Sequence, residues 1–109
     1  MTPTSRRGQD LSQQLRDAGG WYHSFELPDG SVIRGCIPLE TLQERYCRIP
    51  IPGDLAGKRV LDIGAWDGWF SFEAERRGAS VTAMDCVEVP NFLQVHRALA
   101  SRVDYRILD

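Results

Sequence analysis

Cysteine is scarce in this sequence and lysine is nearly absent. The three cysteines, Cys36, Cys47 and Cys86, are odd in number and widely spaced, and no two of them form a C-x-x-C pair. This pattern argues against a disulfide framework and against a zinc site, so we expect no metal centre. We interpret the three residues as reduced, small apolar side chains, with a reactive thiol at Cys86 as the alternative.

Long apolar runs are also missing. No stretch approaches the roughly 20 apolar residues of a membrane span, and the arginines near the start have no apolar segment behind them. The sequence therefore predicts a cytoplasmic protein without a membrane partner. Its 13 basic residues, all arginine except Lys58, are interleaved with 15 acidic ones, so no basic face for nucleic acid is visible.

The composition is that of one ordinary domain. The chain has 109 residues, of which 42% are hydrophobic and 26% charged, and its net charge is −2. Residues 1–20 are predicted to form a flexible tail and a short helix. The helix carries one weak apolar stripe, Leu11, Leu15 and Ala18, and we expect it to pack loosely.

Residues 21–57 are predicted to form an extension made of a hairpin and a helix. The turn signal Pro28-Asp29-Gly30 separates two β-prone runs, which indicates a hairpin at about 23–35. A helix of about two turns is expected to follow Pro38, because proline is favoured near the first position of a helix.

Residues 58–109 alternate between strand and helix patterns. RVLDIG, SVTAMD and RVDYRIL are typical of strands, and GWFSFEAERR and NFLQVHRALA of helices. This β-α-β-α-β series predicts an α/β fold: a partial Rossmann-like, doubly wound parallel sheet with an N-terminal helix and β-hairpin extension. The first strand lacks alternation, so we expect it to be covered on both faces.

The predicted strand order is 3-2-1, which leaves the first strand at an exposed edge. An apolar edge of this kind is expected to be covered by the hairpin, by a partner chain such as a second copy in a homodimer, or by sequence outside these 109 residues.

The bend between the first strand and its helix carries the chemistry. Glycines stand at positions 64 and 68, so we expect backbone N–H groups at the helix start to face a nucleotide-type ligand. A dinucleotide fingerprint would need further glycines at 66 and 69, but both positions hold tryptophan. This disfavours NAD and FAD, and no phosphate-binding G-x-x-x-x-G-K-[ST] loop is present.

Acidic residues around the bend favour a cationic nucleoside. Asp62 and Asp67 would repel phosphate and attract an ammonium or sulfonium group. Asp85 ends the second strand, 21 positions after Gly64, where a carboxylate can accept hydrogen bonds from ribose hydroxyls. S-adenosylmethionine (SAM) combines these features, so we predict it as the cofactor.

The same residues resemble a known family. VLDIGAWDG followed by VTAMD is similar to motif I and the ribose-binding acid of class I SAM-dependent methyltransferases. The order of WYHSFELPDG and LAGKRVLDIGAWDGWFSFEAERRGA resembles the branch known as wobble-uridine tRNA methyltransferases, over residues 21–109. The resemblance implies that Asp62, Gly64 and Gly68 shape the methionine and ribose side of the cofactor site, and that Asp85 binds the ribose.

Several assignments at the site have alternatives. Asp67 is as well explained as the N-cap of the following helix. Trp66 either walls the adenosine pocket or packs in the core, and Trp69 is favoured as a core residue. His23 is a weak candidate for a catalytic base, with a hydrogen-bonded structural histidine as the favoured interpretation. The predicted cofactor-binding set is Asp62, Gly64, Ala65, Trp66, Asp67, Gly68, Asp85 and Cys86.

These observations predict the N-terminal, cofactor-binding portion of a SAM-dependent methyltransferase, acting on an oxygen or nitrogen acceptor. The acceptor is left open between a small molecule and tRNA, and the catalytic residues are unknown. The alternative is a truncated, non-catalytic module that binds a nucleoside or a partner strand. A nicotinamide oxidoreductase fragment is the weaker third interpretation, because of the tryptophans at 66 and 69.

Overall fold

A computed structural model describes residues 12–108; the predicted tail at 1–8 and residue Leu11 lie outside the described residues. The chain order is α1 (12–18), β1 (Phe25–Glu26), β2 (Val32–Ile33), α2 (Leu39–Arg48), β3 (Arg59–Ile63), α3 (Trp69–Arg76), β4 (Ser80–Asp85), α4 (Pro90–Ala98) and β5 (Asp104–Ile107).

The three C-terminal strands form a parallel sheet in the order β3-β4-β5. The register places Leu61 opposite Thr82, and Thr82 opposite Asp104. This arrangement confirms the predicted parallel sheet and its strand order. The carboxyl ends of β3 and β4 therefore lie side by side, which is where ligands bind in open α/β sheets.

Helices α3 and α4 cover one face of this sheet. Phe72 of α3 packs on Phe92 of α4, and the Phe92 ring stacks on Tyr105 of β5 with centroids 3.8 Å apart. Val81 and Ala83 of β4 point to the same face and are buried. The hydrophobic core therefore fills the space between these two helices and the sheet, and it continues into the N-terminal extension through residues such as Phe25 and Leu42.

The opposite face of the sheet is open. Leu61 and Ile63 of β3 are 57% and 75% exposed, so the prediction that β3 is covered on both faces is wrong. The reason is that α3 and α4 pack on the same side. Among residues 12–108 no strand pairs with the outer edge of β3, and the hairpin forms a separate two-stranded sheet.

The N-terminal extension is built largely as predicted. Strands β1 and β2 pair antiparallel, with Phe25 opposite Ile33, and α2 begins directly after Pro38. The expected loose packing of α1 is wrong, because Leu15 is fully buried and its carbonyl accepts a 2.8 Å hydrogen bond from Trp21 Nε1.

All three cysteines are unpaired, as expected of reduced residues, and they lie exposed rather than packed as small apolar side chains. Within residues 12–108, no helix is long and apolar enough to cross a membrane. In the same range, no group of three or more His, Cys, Asp or Glu side chains is arranged to hold a metal ion.

Candidate functional site

The bend between β3 and α3 is a tight turn with three residues in the left-handed conformation. Gly64, Trp66 and Gly68 have φ angles of 75°, 55° and 95°. Trp66 is the unusual member, because a side chain is rarely tolerated at positive φ. The bend lies at the carboxyl end of β3, beside the end of β4, as the sequence predicted.

The N–H groups of the bend are bonded within the protein. Gly64 and Ala65 both donate to the Met84 carbonyl, at 2.8 and 3.1 Å, and Gly68 donates to the Ala65 carbonyl at 2.9 Å. The Trp66 N–H donates to the carboxylate of Asp85, at the end of β4. These four N–H groups are therefore engaged within the protein, whereas the prediction that N–H groups at the start of α3 face a ligand concerns the residues that follow Gly68 and stays a prediction.

Glycine is required at the two positions of the bend for different structural reasons. A Cβ atom at Gly68 would lie 2.6 Å from Phe92 carbons and 2.7 Å from Phe72 Cε2, inside the core. A Cβ atom at Gly64 would meet nothing within 4 Å. Packing explains Gly68, whereas Gly64 keeps the backbone open toward the space above the sheet.

Asp85 is an ionised carboxylate at the end of β4. Its Oδ2 accepts the Trp66 N–H at 2.9 Å and its Oδ1 accepts the Cys86 N–H at 2.8 Å. These bonds, that from Trp66 first, lower the pKa of Asp85. The side chain thus ties the bend to the end of β4 and keeps lone pairs on both oxygens for a ligand.

Asp62 is more deeply buried than Asp85. Its Oδ2 accepts a 2.7 Å hydrogen bond from the Ser71 hydroxyl. Burial raises the pKa of Asp62, and repulsion from Asp85 adds to the rise, although Ser71 and the nearby His23 oppose it. The charge of Asp85 therefore acts on Asp62, and a cation between the two carboxylates would stabilise the ionised form of Asp62.

Asp67 does not cap α3; Gly68 occupies the N-cap position and no side chain bonds there. Asp67 is 1% exposed and instead accepts the backbone N–H groups of Tyr22 and His23, at 3.0 and 2.9 Å. It also bonds His23 Nδ1. The N-cap interpretation is therefore wrong, and Asp67 fastens the N-terminal extension to the bend.

His23 is a buried, hydrogen-bonded histidine, as the favoured interpretation expected. Its ring lies edge-on to Phe70 at 5.8 Å between centroids, and Asp67 holds its Nδ1. Any proton exchange with a ligand would have to use Nε2.

The two tryptophans of the motif differ in their exposure to solvent. Trp66 is 46% exposed, so its indole is available to a ligand. Trp69 is buried against Tyr46 and Phe70, in the core as favoured. Cys86 is exposed beside Asp85.

Sequence reasoning missed Ser71 as the partner of Asp62. The available signal was a small polar residue on the buried face of α3, in the first turn of the helix.

Proteins of known name are similar to this chain. No protein-family model matches the chain. A protein of Xanthomonas oryzae pv. oryzae named ubiquinone biosynthesis O-methyltransferase is 45% identical over 108 residues, which cover 89% of this chain and 45% of the relative. A protein of the same name from Pseudomonas aeruginosa is 48% identical over 54 residues, covering 48% of this chain and 23% of the relative.

The matched relatives are methyltransferases. The chain spans under half the length of these curated relatives. Their names support the SAM-dependent methyltransferase interpretation over the non-catalytic module, and they do not support the wobble-uridine tRNA branch.

Proposed function

We propose that this chain is the cofactor-binding part of a SAM-dependent O-methyltransferase. The observation that carries the proposal is the bend itself. Asp62 and Asp85 bring two carboxylates to the adjacent ends of β3 and β4, while the N–H groups of Gly64, Ala65, Trp66 and Gly68 are all bonded within the protein. Such a site favours a cation and disfavours a phosphate.

The residues present fit the proposed cofactor. Asp85 stays ionised and has lone pairs left for the two hydroxyls of a ribose. Gly64 leaves open space above the end of β3, where a Cβ would meet no protein atom. Burial raises the pKa of Asp62, and a sulfonium or ammonium group beside this carboxylate would oppose that rise.

SAM, when bound, supplies a methyl group on a positively charged sulfur that leaves as a neutral thioether. The protein then has mainly to position the two reactants, because the leaving group needs no proton. Asp85 and Gly64 would hold the nucleoside side, and Asp67 would hold residues 22–23 against the bend. His23 remains a candidate base through Nε2 only, since Asp67 holds Nδ1.

An oxygen acceptor is proposed because the relatives are named as O-methyltransferases. A wobble uridine of tRNA, implied by the family resemblance, is the competing acceptor. The absence of a basic face in the sequence also disfavours an RNA substrate.

Calorimetry with SAM, S-adenosylhomocysteine and NAD tests the proposal on the chain itself. We expect both methionine-derived ligands to bind and NAD not to bind. Asp85→Asn should weaken SAM by about tenfold or more, since a hydrogen bond to a charged group contributes roughly 1.5–3 kcal/mol. Asp104→Asn, which removes an exposed carboxylate of β5, is the matched control and should bind normally. Binding of NAD alone would refute the proposal.

A further inference from the structure

A cavity lies directly beside the bend and shares Trp66 with the predicted cofactor-binding residues. It has a volume of about 780 Å³, which falls in the usual range for sites of small organic ligands. Residues of α1, the hairpin and the bend surround it. Its lining includes Arg16, Tyr22, Arg34, Cys36 and Trp66.

Two half-exposed aromatic side chains line this cavity. Tyr22 is 47% and Trp66 is 46% exposed, whereas Trp21 and Trp69 are buried. Aromatic faces of this kind favour contact with a flat ring. The backbone of Trp66 has a positive φ, which is costly for a residue with a side chain, and its backbone N–H donates to Asp85.

Two guanidinium groups give the cavity a positive charge. Arg16 comes from α1 and Arg34 from the chain just after β2. Among residues 12–108 neither forms an ion pair with a carboxylate; Arg16 bonds only the Gln13 side-chain oxygen, at 3.3 Å. Arginine matches the geometry of carboxylate and phosphate oxygens. The cavity thus carries positive charge, whereas the bend next to it carries the negative charge of its carboxylates.

We propose that this cavity binds the methyl acceptor as a small planar ring that carries an anionic substituent. The ring contacts Tyr22 and Trp66, and Arg16 and Arg34 bind the anion. The inference rests on the proposed function, because an acceptor must lie beside the cofactor. In the transfer, the ring hydroxyl oxygen forms a bond to the methyl carbon, the carbon–sulfur bond breaks, sulfur keeps the electron pair, and the hydroxyl proton passes to solvent.

The matched probes are 4-hydroxybenzoate and its neutral amide, 4-hydroxybenzamide. The three exposed cysteines report on binding separately: Cys36 lines the cavity, Cys86 follows Asp85, and Cys47 lies on α2. Alkylation of each thiol is followed by peptide mass spectrometry. We expect the benzoate to protect Cys36, SAM to protect Cys86, and neither ligand to protect Cys47.

Charge-removing variants identify the groups that bind the anion. Arg16→Gln and Arg34→Gln should each weaken the benzoate by about tenfold and leave the protection of Cys86 by SAM unchanged. Arg97→Gln, which removes an exposed arginine of α4, is the control and should bind the benzoate normally. Thermal unfolding of each variant confirms that it is folded.

The possible results separate this inference from the proposed function. Protection of Cys86 by SAM without protection of Cys36 by the benzoate overturns the acceptor inference alone. Equal binding of benzoate and benzamide overturns recognition of the anion. Protection of Cys36 by a short uridine-containing RNA, but not by the benzoate, overturns the small-molecule acceptor. Failure of SAM to protect Cys86 or to bind in calorimetry refutes the proposed function itself.

Discussion

Substitution of three glycines by alanine separates the packing of the bend from its ligand chemistry. Gly57, Gly64 and Gly68 all have positive φ angles, of 75°, 75° and 95°. An alanine at such an angle costs roughly 1–2 kcal/mol, partly offset by about 0.4–1 kcal/mol from the stiffer unfolded chain. We therefore expect Gly57→Ala and Gly64→Ala each to lower the free energy of unfolding by about 1 kcal/mol.

Gly68→Ala carries an additional packing penalty. Its Cβ would lie 2.6 Å from Phe92 carbons, so two aromatic rings of the core would have to move. Overpacking of this kind costs about 1–3 kcal/mol beyond the backbone strain. The expected total is about 2–4 kcal/mol, a large share of the roughly 5–15 kcal/mol that stabilises a typical domain.

Urea unfolding followed by tryptophan fluorescence measures these differences, and calorimetry measures SAM binding by each folded variant. Gly64→Ala should weaken SAM while its stability matches that of Gly57→Ala, because its Cβ enters only the open space above β3. The reasoning is refuted if Gly68→Ala is no less stable than Gly57→Ala, or if Gly64→Ala binds SAM as well as Gly57→Ala does.

Three other substitutions test the surroundings of the site. Burial raises the pKa of Asp62, so its ionisation destabilises the fold as pH rises. Asp62→Asn should therefore have a higher Tm than the wild type at pH 7, and this difference should disappear below the ordinary aspartate pKa. A lower Tm of the variant at pH 7 would contradict this. Asp67→Ala leaves three donors of the 22–23 segment without their acceptor and should cost on the order of 3 kcal/mol in urea unfolding, while Asp67→Asn costs less. The buried Tyr46 hydroxyl has no hydrogen-bond partner within residues 12–108, so Tyr46→Phe should be neutral or more stable by about 1 kcal/mol, and a clear loss of stability would show that the hydroxyl contributes.

Local patterns of the chain predicted its elements well. The turn at 28–30, the proline before α2 and the alternating strand and helix patterns of residues 58–109 each act within a few residues, so they are visible in the sequence. The parallel sheet and its order followed from general rules of connection. The open face of β3 was not predictable, because an apolar strand looks the same whether or not a second layer covers it.

The sequence predicted which residues form the candidate site but not which contacts each of them makes. Glycines and acids at regular positions indicated the bend, but the partner of Asp67 lies more than 40 residues away along the chain. A long-range contact of this kind leaves no local pattern. The same holds for the cavity, whose arginines come from α1 and the end of the hairpin.

The attachment of residues 22–23 to Asp67 has a consequence for dynamics. The hairpin cannot separate from the bend as an independent foldon, because its opening would leave a buried carboxylate without donors. Amide hydrogen exchange in the hairpin should therefore slow when a ligand occupies the bend, even though the ligand touches no hairpin amide. Hydrogen exchange in the N-terminal extension would thus show whether a ligand occupies the bend, although the bend belongs to another part of the chain.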